Sequence, residues 1–275
     1  MKNILHNLYC RCFPDYPTTA EIFYDLLDPQ TAHTVYAYEG GEVIGYSMLR
    51  DNCIKLLIVE PEHRGKGHGS ALLKQSEDYI KNAGHSEIIL GGTGDRMFQG
   101  VPCDTDNNAV EFFKKRGYYA EWTSFNMTLP LEKFDISKLD ITPPNGITFR
   151  FATAEDKPQL LKAVEDADDG WLELFEELEA PVMLAVEGHE IMGFQIVSTD
   201  DFRFTYNDCI IGCVGVVQKA RNRGIGLAMV VEGVDWLKKQ GCKSIELLYT
   251  YDELVKWYGK IGFIVNSKQW MGEKQ

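Results

Sequence analysis

Val59-Glu60-Pro61-Glu62-His63-Arg64-Gly65-Lys66-Gly67-His68-Gly69 decides the reading of the fold, because its pattern returns as Val216-Val217-Gln218-Lys219-Ala220-Arg221-Asn222-Arg223-Gly224-Ile225-Gly226. Each copy follows an apolar, strand-like run. After the second copy, Leu227, Val230, Val231, Val234 and Leu237 recur with helical spacing. A strand running through Arg-x-x-Gly-x-Gly into a helix gathers backbone N–H groups around one point. Glycine lets the chain close on a ligand without a Cβ, and the helix amino end adds partial positive charge. That combination suits a pyrophosphate. His63, Arg64, Lys66 and His68, or Lys219, Arg221 and Arg223, make each loop locally basic. The spacing is not that of a P-loop, which needs Gly-x4-Gly-Lys-Ser/Thr. It is not a Rossmann fingerprint either, since Gly65, Gly67 and Gly69 alternate and the loop follows a third strand rather than a first.

Working outward, the rest of the chain repeats in the same order. Gly41-Glu42-Val43-Ile44-Gly45-Tyr46 returns as His189-Glu190-Ile191-Met192-Gly193-Phe194, and Asn82-Ala83-Gly84 as Lys239-Gln240-Gly241. Phe112-Phe113-Lys114-Lys115-Arg116-Gly117-Tyr118 returns as Trp257-Tyr258-Gly259-Lys260-Ile261-Gly262-Phe263. Strand-like runs are expected at 34–38, 43–49, 54–59 and 87–90, and again at 244–249, with a helix closing each copy at Gly117 or Gly262. The plan is α/β with a mixed sheet. The Pro143-Pro144-Asn145-Gly146 turn cluster places the boundary. Domains are expected at 1–130 and 147–275, with 131–146 as linker. The first domain opens on a helix over 4–13 and lacks an opening strand. The second opens with Ile147 to Ala152, then a helix capped by Thr153 with Asp156 three residues on.

The 275 residues fit two domains of ordinary size. A net charge of −13, acidic in both halves, argues against nucleic acid as partner. No apolar run is long enough to span a bilayer and no signal peptide is evident, so no membrane partner is expected. The seven scattered cysteines include no Cys-x-x-Cys pair. They fit neither a zinc framework nor a disulfide scaffold, so a cytoplasmic location and no metal are expected.

With these motifs the sequence resembles the GNAT superfamily of acetyl-CoA-dependent N-acetyltransferases over nearly its whole length, as two tandem domains in an arrangement similar to mycothiol synthase. The resemblance implies two GNAT-like domains, each a mixed, mostly antiparallel sheet flanked by helices. It implies acetyl-CoA as cofactor, and makes the amides of Arg64, Gly65, Lys66, Gly67, His68 and Gly69, and of Arg221, Asn222, Arg223, Gly224, Ile225 and Gly226, pyrophosphate cradles. Leu57 and Val59, and Val214 and Val216, would pair with the pantetheine arm, and a backbone N–H there would stabilise the oxyanion. In the family a tyrosine four residues before the closing Gly-Phe often protonates the leaving thiolate. Tyr258 holds that place in the second copy, whereas Phe113 holds it in the first. A CoA-contacting asparagine of the same helix has its nearest matches in Asn107 and Asn108.

Catalysis is therefore expected in the second domain, with Tyr258 as acid and a primary amine of a small molecule as acceptor. The alternative is a non-catalytic acetyl-CoA-binding or interaction module. Asp208 and Glu246 are the nearest candidate bases, and Cys213 reads as a buried strand residue. Glu165 to Glu179 holds eight acids and no base, which would attract a cationic acceptor or form a solvated face over Trp171, Leu172, Phe175 and Leu178. Gly91 to Asp95 and Phe98 to Pro102 form a long loop suited to a binding rim or to a plain connector. The chain is expected to be a monomer or homodimer.

Overall fold

The computed structural model describes residues 1–25, 27, 32–92, 98–104, 108–199 and 208–275. Contacts gather these into two units: the first joins Met1–Phe125 to Ser267–Gln275, and the second takes the described residues from Asn126 to Asn266.

The first unit opens on α1 (Lys2–Cys12) and α2 (Ala20–Asp25), and among its described residues no strand precedes them. Leu8 and Tyr9 of α1 follow Leu5 by three and four residues and all three are buried, so one apolar stripe seats the helix. Then come β1 (His33–Glu39), β2 (Glu42–Arg50), β3 (Cys53–Val59), α3 (His68–Asn82), β4 (Ile88–Leu90), β5 (Val101–Pro102) and α4 (Ala109–Lys114). β6 (Thr123–Pro130) runs from the first unit into the second.

The second unit continues with β7 (Ile147–Phe151), α5 (Lys157–Ala167), α6 (Leu172–Glu177), β8 (Val182–Glu187), β9 (Glu190–Ser198), β10 (Asp208–Val216), α7 (Ile225–Lys239), β11 (Ser244–Thr250) and α8 (Asp252–Gly259). The chain ends with β12 (Ile264–Trp270) and β13 (Glu273–Lys274). The capping box expected at Thr153 and Asp156 forms, and Arg150 clamps the same carboxylate.

The first sheet runs β1-β2-β3-β4-β13. In it β1, β2 and β3 are antiparallel neighbours, β3 and β4 are parallel, and β13 pairs antiparallel with β4. The second unit repeats this order with β8, β9, β10 and β11, flanked by β7. The repeated glycines have a packing cause. A Cβ on Gly45 would lie 2.6 Å from the carbonyl oxygen of Ile58, and one on Gly193 would lie 2.9 Å from that of Gly215. Each copy therefore needs glycine where its second strand meets its third.

The contacts draw the domain limits differently from the Pro-Pro-Asn-Gly cluster. Residues 131–146 are not a free linker: the Leu131 amide donates to the Lys243 carbonyl oxygen, and Leu131, Phe134, Leu139 and Ile141 pack on the second core. The last nine residues belong to the first unit, because Glu273 and Lys274 complete its sheet beside Ile88 and Ile89. The cysteines also depart from expectation, since Cys209 of β10 and Cys242, just before β11, form a disulfide. Among the described residues no helix is long and apolar enough to cross a membrane.

Candidate functional site

β3 and its counterpart β10 each part from their parallel neighbour just before the glycine loop. In the first unit β3 pairs with β4 only at Cys53 and Ile54, which leaves Leu57, Ile58 and Val59 beside an opening. In the second, β10 pairs with β11 only from Asp208 to Ile210. A bulge between Gly212 and Gly215 then bends β10, with Cys213 at a φ of 45°.

In the first unit this opening is a cavity of about 820 Å³, within the range of small-ligand pockets. Leu57, Ile58 and Val59 form one wall, and Arg64, Gly65, Gly67, Gly69 and Ser70 form the loop end. Asn108, Ala109, Phe112, Phe113 and Arg116 close the α4 side, and residues 12–16 form the remaining wall. Gly67 starts α3 with a φ of 92°, a conformation that favours glycine. Arg64 is folded back, its Nε donating to the Val59 carbonyl oxygen at 2.9 Å. Arg116 lies 3.7 Å over the Phe112 ring and donates to the Phe112 carbonyl oxygen and to Ser70 Oγ, which ties α4 to the start of α3.

Leu57, Val59, Arg64, Gly65, Gly67, Gly69 and Asn108 thus meet around one cavity, whereas the side chains of Lys66 and His68 turn to Glu39. That carboxylate lies 2.6 Å from His63 Nδ1 and 3.7 Å from both Lys66 Nζ and His68 Nε2. Burial works to raise the Glu39 pKa, but the charges of Lys66, His63 and His68 hold it below the ordinary carboxylate value. Sequence reasoning missed Ser70, Phe112, Arg116 and the 12–16 wall. The four-residue spacing of Phe112 in α4 and Arg116 just past its end was the available signal.

The second unit builds the matching loop with its charges already engaged. Arg223 donates two hydrogen bonds to Glu187, and Lys219 bridges to Glu190. Arg221 Nε donates to the Val216 carbonyl oxygen, repeating Arg64, and its second guanidinium arm donates to the Ala167 carbonyl oxygen. Asn222 and Gly224 take positive φ, Ile225 is buried, and the ring of Trp257 covers Gly226 near Val216. Val214 lies within the bulge and Val216 just past it. Tyr258 is 5% exposed, and burial pushes its phenol well above the ordinary value, with Cys213 and Tyr251 adding to the shift. Burial likewise raises the Cys213 thiol to about 11, with the Asp168 charge assisting, so it stays protonated at neutral pH.

Of the candidate bases, Glu246 is buried and accepts from Asn266 Nδ2 at 2.8 Å, which marks a structural carboxylate. The Asp208 side chain, Asn107 and residues 93–97 lie outside the described residues. The acidic stretch seats Phe175 in the core, with Trp171, Leu172 and Leu178 against it. Asp166 is bound to the Gln218 amide. Among the described residues no group of three or more His, Cys, Asp or Glu could hold a metal ion.

The sequence profile described as "Acetyltransferase (GNAT) family" matches residues 2–118 and 149–263. A mycothiol acetyltransferase of Saccharopolyspora erythraea is 24% identical, over 86% of this chain and 83% of its own. A glucosamine N-acetyltransferase region of a fungal multi-domain β-N-acetylglucosaminidase superposes with a TM-score of 0.81 at 21% identity. That superposition covers 99% of this chain but 36% of the fungal one, so the chain spans about a third of that protein. A tandem GNAT protein from the clavulanic acid biosynthesis pathway gives a TM-score of 0.68 at 13% identity, covering 99% of this chain and 94% of its own.

Proposed function

Because the chain belongs to the GNAT acetyltransferase family over both of its repeats, we propose that it moves an acetyl group from acetyl-CoA directly to a primary amine of a small molecule, and that the first unit's groove is the transferring site. The carrying observation is the 820 Å³ cavity between β3, the glycine loop and α4. Its chemistry fits the donor. The amides at the start of α3 and the nearby Arg64 and Arg116 suit the pyrophosphate, and the β3 edge at Leu57 and Ile58, past its last pairing with β4, offers an extended arm backbone partners. Phe113 gives no proton. A thiol has a pKa of about 8.5, however, so the thiolate is a fair leaving group that water in the groove protonates. Holding amine and thioester together supplies much of the rate.

A second reading rests on Tyr258, whose burial keeps its phenol protonated and available to a thiolate in the second unit. One experiment separates the two. Free-thiol release from acetyl-CoA is measured with a panel of amines for the intact chain, for Ala109→Trp, which fills the first groove, and for Tyr258→Phe. Loss of turnover in Ala109→Trp with retention in Tyr258→Phe supports the first unit, and the opposite pattern supports the second. No release with any amine counts against both and favours a non-catalytic acetyl-CoA-binding module.

A further inference from the structure

The wall at residues 12–16 contains one polar group held for a purpose that packing does not explain. Tyr16 lines the cavity, and its hydroxyl donates to Asp104 Oδ1 at 2.7 Å. Its backbone is fixed from behind, because the fully buried Tyr9 donates its hydroxyl to the Tyr16 carbonyl oxygen at 2.8 Å. Its ring stands edge-on to Phe98 at 5.0 Å, and Phe98 in turn packs against Phe13. Asp104 itself is exposed to solvent.

We infer that Tyr16 is a catalytic residue that relays the acceptor's proton, with Asp104 as the positioning carboxylate that receives it. An incoming ammonium donates to the Tyr16 oxygen as the Tyr16 hydroxyl passes its own proton to Asp104 Oδ1, and Asp104 releases a proton to solvent. The neutral amine then attacks the thioester carbonyl, the C–S bond breaks, and the second amine proton ends on the departing thiolate. One ammonium and one acetyl thioester thus give one amide, one thiol and one solvent proton.

Tyr16 is suited to this because it keeps its hydroxyl proton. Burial, then Asp104, Asp15 and Cys103, all push its ionisation upward. Those three groups face the phenol from its own connection and from the segment after β5, and Lys268 of β12 faces Cys103. A protonated phenol donating to Asp104 leaves its oxygen lone pairs for an ammonium. The inference rests on the first unit being the transferring site.

The test compares the pH dependence of turnover for the intact chain, Tyr16→Phe, Asp104→Asn and Ala109→Trp. Both relay variants should lose about 10²-fold in kcat at pH 7 and keep the KM for acetyl-CoA. Their deficit should shrink as pH approaches the acceptor's own pKa, where free amine needs no relay. A deficit constant across pH marks a merely structural role and overturns the proposal. So does unchanged kcat in both relay variants when Ala109→Trp is inactive, which leaves the site assignment standing. Full activity in Ala109→Trp overturns both together.

Discussion

Replacing Trp270 with alanine should strongly destabilise the first unit, although only five residues follow it in the sequence. Trp270 is 8% exposed and sits in one apolar cluster with Leu49, Ile54, Leu73, Ile80, Leu90 and Phe113, all from the first 125 residues. The fit is tight around it. A Cβ on Gly272 would fall 2.2 Å from the indole, and one on Gly100 would fall 2.5 Å from the Trp270 carbonyl oxygen. Removing a buried indole from such a site costs roughly 3–5 kcal/mol, the lost transfer free energy plus the cavity left behind. That is about two to four decades in the unfolding equilibrium, and a large share of a domain's usual stability. Hydrogen exchange read by mass spectrometry along a urea series locates the loss. Peptides over 54–59, 72–80 and 88–90 should lose protection at lower urea, whereas 182–197 and 225–237 should keep theirs. Loss confined to the second unit's peptides, or no loss in either, would refute the assignment of the last nine residues to the first unit.

Two further outcomes concern the second unit. Asp156 takes hydrogen bonds from Arg150 and from the Thr153 amide and hydroxyl, which hold its carboxyl well below the ordinary carboxylate range. A depressed pKa stabilises the fold above the unfolded value of about 4 and loses that contribution as pH falls below it. Acid unfolding of Asp156→Asn should therefore lack part of the wild-type pH dependence below about pH 4, and at pH 7 the variant should cost roughly 0.5–2 kcal/mol as a lost cap. Cys209 and Cys242 are 33 residues apart, so Cys242→Ser should cost about 3–4 kcal/mol if the cross-link acts through the unfolded chain. A melting temperature that does not change on reduction would count against that.

Much of the fold was legible because its signals are local. The Gly-x-Gly loops carry backbone conformations that glycine favours, at Gly65, Gly67 and Gly224. Gly45 and Gly193 mark close strand approaches, and the apolar spacing after Gly226 is the buried face of α7. The two glycine loops were legible for the same reason, since each is one contiguous stretch. The 12–16 wall was not, because nothing in Cys12 to Tyr16 distinguishes it from any loop after an amphipathic helix. Its Tyr16 hydroxyl bonds to Asp104, 88 residues away.

The sequence by itself determined that there are two copies of one α/β design, each with a glycine-rich turn between a strand and a helix. Periodicity, glycine placement and charge act over a few residues and need no partner to be read. Only the tertiary structure decided which pieces complete which copy, which loop charges are already paired, and which residues wall the groove between β3 and α4. The repeat suggested that residues 267–275 finish the second copy, yet they hydrogen-bond to β4 of the first. A strand's partner is chosen by which unpaired edge and apolar face it can cover, and that choice is made between residues nearly 200 positions apart.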